Sequence, residues 1–155
     1  MGSFMPGDDT MITKLLVGLD GLASGERAMA HAEKLAKLIG DCEVIVAYVI
    51  EWSPFAFQSA EENAQRHKRR EEEIDLAQSR VVDPAVAKLT ADGIRARGIV
   101  RHGHVSDTLE TLAKSEDAEM IVIGRKAESG FGARIFGSST ANLVMQATVP
   151  VTVVN

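Results

Sequence analysis

The groups best placed to do chemistry in this chain lie in residues 124–140, GRKAESGFGARIFGSST. Gly124, Gly130, Gly132 and Gly137 let a ligand approach the backbone closely. Arg125, Lys126 and Arg134 outnumber the one acid, Glu128, so the stretch is cationic in a chain of formal net charge −5. Ser138, Ser139 and Thr140 follow Gly137 and open a helical run over residues 141–146. The free N–H groups and the dipole of such a helix start favour an anion. The chemistry implied is a phosphate cradle. The plainer reading is a glycine-rich surface loop with a capped helix behind it, and local composition leaves both open. No GxxxxGK[ST] occurs, so this is not the usual P-loop, and no GxGxxG follows the first strand.

The elements around this stretch must position it. Residues 120–123, MIVI, read as a buried strand running into it. Twelve residues, 125–136, separate its outer glycines. Strand-to-helix connections usually take about 2–6 residues, and longer ones are usually functional. At the other end of the chain, TKLLVGLD (13–20) reads as a buried parallel strand that turns at Gly21. Ser24 is expected to cap a helix over residues 25–38, ended by Gly40. A second strand is expected at 43–50, which completes a right-handed βαβ unit. Residues 60–89 read as mostly helical with a break or restart at Pro84, after Val82-Asp83, and 94–101 as a weaker strand. Ser106 or Asp107 is expected to cap a helix running to Ala113, and residues 149–154 form a last strand. The order β-α-β-α-β-α-β-α-β implies a doubly wound α/β fold with helices on both faces of a parallel sheet.

Asp20 ends the first strand, where open α/β sheets bind ligands. Its carboxylate can accept from an adenine amino group or a ribose hydroxyl, or from its own turn. Val49, at the end of the second strand, reads as core. Trp52, Phe55 and Phe57 could anchor the next helix to the core, line or cover a base pocket, or pack against a partner subunit. HKRREEE (67–73) reads as a solvated helix face with Lys68–Glu72 and Arg69–Glu73 pairs. His102 and His104 lack the further ligands of a recognisable metal set.

Composition narrows the class. One domain is expected over residues 11–155, behind a leader of residues 1–10. The net charge of −5 gives no general attraction to nucleic acid or to an acidic membrane surface. No run approaches the roughly 20 apolar residues of a membrane span. Cys42 has no partner for an internal disulfide, which fits a reducing, cytoplasmic setting.

The spacing G-x2-G-x9-G-[ST] near the end of such a chain resembles the nucleotide signature of ATP-binding universal stress proteins. Here it reads Gly124-Arg125-Lys126-Ala127, nine residues, then Gly137-Ser138, with Ala127 where the family has its second glycine. The closing GSSTANLVMQATVPVTVVN is also similar to the family's last helix and strand. The resemblance implies a Rossmann-like five-stranded sheet in the order 3-2-1-4-5, with Asp20 and Gly124 on one crevice. It implies adenine contacts at Asp20 and Val49, and a small turn residue at Gly103 beside the ribose and phosphates. Phosphate contacts are implied at Gly124, Arg125, Ala127, Gly137, Ser138, Ser139 and Thr140. It implies ATP, alone or with Mg²⁺, in a stress-response sensor or regulator that serves a partner protein. It also implies a homodimer paired through the last strand, which is short, apolar and contains Pro150. Two alternatives stay open. One is a weak ATP hydrolase or phosphotransferase, for which no obvious base is present. The other is an interaction module independent of nucleotide, for which Ala127 is the sole support.

Overall fold

A computed structural model describes residues 12–51, 60–125 and 138–155. The expectations for Trp52, Phe55, Phe57, Ala127 and Gly137 lie outside these residues. The strands are β1 (Thr13–Leu19), β2 (Cys42–Glu51), β3 (Arg95–Gly103), β4 (Met120–Gly124) and β5 (Val151–Val154). The helices are α1 (Ala23–Ile39), α2 (Ala60–Ala77), α3 (Asp83–Ala91), α4 (Val105–Ser115) and α5 (Ser138–Gln146). All strand pairs are parallel, and the order is β3-β2-β1-β4-β5.

Alternation along the strands divides the core. Leu15, Val17, Val44 and Val46 face α1 and α3, where they meet Ala28, Ala32, Val82 and Leu89. Their neighbours Leu16, Ile45 and Ala47 face α4 and α5, against Leu109, Leu112 and Leu143. A sheet covered on both faces needs continuous apolar strands, and LLV and VIVA supply them. Gly40, at φ 90°, ends α1 as expected.

Local details depart from the sequence expectations. α1 begins at Ala23 with no side-chain cap at its N-cap position, Leu22. Ser24 lies inside the first turn, and the capping acceptor is Asp20 (described below). α4 likewise has no side-chain cap: Asp107 accepts from Gln146 Nε2 at 3.0 Å and ties α5 to α4. Pro84 stands in the first turn of α3, the restart expected of it. A π-helical turn, Gln78–Val82, joins α2 to α3 directly. Proline lacks an N–H and crowds the carbonyl four residues earlier, and the wider turn relieves both conflicts. Glu73 bonds His102 Nε2 at 3.0 Å, and Glu71 meets His67 at 3.2 Å. Pro150 precedes β5, an edge strand, and its carbonyl accepts from Ile121 N–H at 2.9 Å.

Candidate functional site

β1 lies between β2 and β4, and the chain leaves it toward one face of the sheet while α4 and α5 occupy the other. Strand order reverses there, and a crevice of about 290 Å³ opens at the carboxyl ends of β1, β2 and β4. Asp20, Val49, Gly124, Ser139 and Thr140 all line it. Residues as far apart in sequence as Asp20 and Thr140 thus converge because they end neighbouring strands or start the helix that follows.

Asp20 sits in a turn it largely organises. Its Oδ1 accepts from the N–H of Leu22 at 2.8 Å and from that of Gly25 at 3.0 Å. Its Oδ2 accepts from the Ser24 hydroxyl. Burial pushes its pKa up, but the bonds from Ser24, Leu22 and Gly25 outweigh this and hold the carboxyl below its ordinary value. It is therefore ionised at neutral pH. A carboxylate offers about four acceptor positions. At least three are used within the turn, and the residue also lines the crevice.

Gly124 has a packing role that the motif alone did not reveal. A Cβ there would lie 1.9 Å from the Ser24 carbonyl oxygen, on the backbone of α1. Glycine lets the end of β4 press against the first turn of α1, which narrows the crevice between Asp20 and β4. Arg125 continues this contact through its backbone. Its N–H donates to Val154 O at 2.7 Å, and its carbonyl accepts from Arg27 Nη2 at 2.9 Å. Arg27 Nε also donates to Asn155 O at 3.0 Å, so one α1 side chain ties β4 to the end of β5.

Opposite, Ser138 is the first residue of α5, and Ser139 and Thr140 bring its opening turn to the crevice. Leu143, 1% exposed, anchors that helix in the core. The unpaired N–H groups of a helix start suit an anion. Val49, Val105, Leu109, Ile123 and Leu143 give the crevice an apolar side. Gly103 does not line it: β3 pairs with the far side of β2, Gly103 opposite Glu51, and Val105 reaches the crevice instead. Sequence reasoning missed Tyr48, Glu51 and Arg27. The signal for Tyr48 and Glu51 was their place beside Val49 at the carboxyl end of β2. Arg27 gave no local signal, because its acceptors lie 98 and 128 residues away. Among the described residues no group of three or more His, Cys, Asp or Glu converges to hold a metal.

Comparison with known proteins gives a concordant result. The model of the universal stress protein family matches residues 11–155. Universal stress protein G of Salmonella typhimurium is 30% identical over 129 residues, covering 83% of this chain and 87% of that protein. A universal stress protein solved in complex with cAMP superposes with TM-score 0.64 at 22% identity, over 93% of this chain and 97% of that one. The universal stress protein of Archaeoglobus fulgidus in complex with dAMP gives 0.59 at 20% identity, over 92% and 98%. At these identities the two structures establish a shared fold.

Proposed function

This chain belongs to the universal stress protein family, and from that premise we propose that it binds an adenine nucleotide, ATP, in the crevice between β1 and β4. The observation that carries the proposal is the convergence of Asp20, Val49, Gly124, Ser139 and Thr140 on one cavity at the reversal of strand order. In this reading the Asp20 carboxylate takes the adenine amino group or a ribose hydroxyl. The apolar side formed by Val49 and Val105 covers the base. The start of α5 and the backbone of residues 124–127 hold the phosphates, with Mg²⁺ carried on the phosphates if present. The cAMP and dAMP complexes of the two relatives support an adenine nucleotide as the ligand class. The protein then acts as a cytoplasmic stress-response regulator for a partner protein. It does so as a homodimer paired through β5, whose four residues are half-buried and sit at the sheet edge.

A second reading, an interaction module without nucleotide, is favoured by one observation. Three bonds from its own turn already occupy Asp20. Denaturing freshly purified protein, identifying any released nucleotide by chromatography and titrating ATP calorimetrically with and without Mg²⁺ separates the two. Released ATP, or ATP binding at millimolar concentration or below, is the expected result. The absence of both would sink nucleotide binding and leave the module.

A further inference from the structure

A second cavity, about 500 Å³ in volume, lies on the other side of the β1–α1 turn, between α1 and α3. Leu19, Leu22, Met29, Val81, Pro84 and Ala85 give it apolar walls. Leu22 is 59% exposed there, although it is a large apolar residue on a sharply bonded turn. Arg80 and Lys88 stand at the rim, against one acid, Glu26. Among the described residues neither cation makes an ion pair.

The π turn shapes this rim. Its first residue, Gln78, donates from Nε2 to Asp83 Oδ1 at 2.7 Å, which closes the wide turn on its outer side. On its inner side Val82 is fully buried, and it presses so close to β3 that a Cβ at Gly98 would lie 2.0 Å from Val82 Cγ1. The turn is thus pinned at both sides, and Arg80 and Val81, between the two pins, line the cavity. Single π turns inside helices recur at functional sites because they redirect side chains that an α-helix would place elsewhere.

From these features we infer that the α1–α3 cavity binds a small amphipathic anion: an acyl or aryl body carrying one carboxylate. The volume suits a small organic ligand, and the apolar walls suit its body. Two cations against one acid select a single negative charge. Arginine accepts a carboxylate through paired N–H donors, and the long stems of both cations can fold along the ligand. This inference is separate from nucleotide binding: the cavity is a different one, it shares Leu19 with the crevice, and its two cations take no part there.

The test uses the full chain, nucleotide-free, titrated below the micelle concentration with decanoate, decan-1-ol and decylamine. Backbone amide shifts provide the readout. Decanoate is expected to shift the amides of Leu22, Met29 and Ala85 and to bind more tightly than decan-1-ol, with decylamine weakest. The double substitution Arg80→Gln, Lys88→Gln, on exposed positions, is expected to weaken decanoate by about ten-fold and decan-1-ol by less than about two-fold. Ala85→Phe, which fills the cavity, is expected to abolish the shifts from both ligands. Three results would overturn the inference: no shifts at these amides, decanoate affinity unchanged by the double substitution, or the same amides shifting with protein concentration alone. The last would mean that a second copy covers the cavity.

Discussion

Two corners of this molecule are built around a carboxylate in nearly the same way. At the β1–α1 turn, Asp20 accepts from two backbone N–H groups and the Ser24 hydroxyl. At the junction of α5 and β5, Glu110 accepts from the N–H and the hydroxyl of Thr148, the latter at 2.8 Å, with Lys114 Nζ 3.4 Å away. For both, burial raises the pKa, and the hydrogen bonds more than offset this and leave it below the ordinary value. Only Asp20 lines the crevice. A well-bonded, readily ionised carboxylate therefore marks a corner that needs fastening, and it can meet a ligand only where concave space accompanies it. Glu110 fastens the turn before β5 to α4 and does not itself line the crevice.

The comparison breaks most sharply at Gly124, which forms the wall of the first corner and is remote from the second. Gly124→Ala places a methyl against the Ser24 backbone, so the end of β4 must move away from α1. The expected cost is about 1–3 kcal/mol of stability with loss of measurable ATP binding. Hydrogen exchange at the Thr148 amide should retain its order relative to global unfolding. Calorimetry and chemical denaturation check this, and full ATP affinity in the variant would remove Gly124 from the site.

Paired isosteric changes sharpen the contrast with a smaller effect. Asp20→Asn is expected to lower ATP affinity by about ten-fold and stability by about 1 kcal/mol, because an amide cannot accept at both heads. Glu110→Gln is expected to cost about 1–2 kcal/mol of stability while ATP affinity stays within about two-fold. Equal affinity losses in the two variants would mean that both act through stability alone.

The smallest effect is the shared pH response. The folded-state pKa values of Asp20, Glu110 and Glu116 are all lowered, that of Glu116 chiefly by its bond to Arg97 at 2.6 Å. A lowered folded value means that the unfolded chain binds protons first. The stabilisation is then complete above the unfolded value, about pH 4, and is lost as pH falls through the folded values. Denaturation curves between about pH 6 and 3 should therefore show stability falling on the acid side, with a shallower fall in Glu110→Gln. An unchanged slope in that variant would show that Glu110 contributes little.

Much of this was legible beforehand, and the misses share a cause. Apolar runs such as LLV and VIVA, with helical spacing between them, mark the strands and helices because burial on two faces demands that pattern locally. The helix start at Ser138 was legible for the same reason. Pro84 marks the restart of the helix at α3, but no local pattern shows that Val82 packing on Gly98 accommodates a π turn just before it. Ser24 misled as a cap, because the acceptor that serves the first turn of α1 comes from Asp20, before the helix begins.

Local residue pattern specifies the class of fold, the strand ends at which open α/β sheets bind ligands, and the cationic, glycine-rich connection that joins β4 to α5. These follow from periodicity and residue type, which act over a few residues. Packing of the assembled elements accounts for the bonds of Asp20 to its own turn, for the need of a glycine at 124 with α1 against it, and for the place of Gly103 outside the crevice lining. It alone placed Arg27 across two strand ends and opened a second cavity beside the π turn. Those outcomes depend on which surfaces meet after the sheet assembles, and contacts between residues some hundred positions apart leave no local pattern to read.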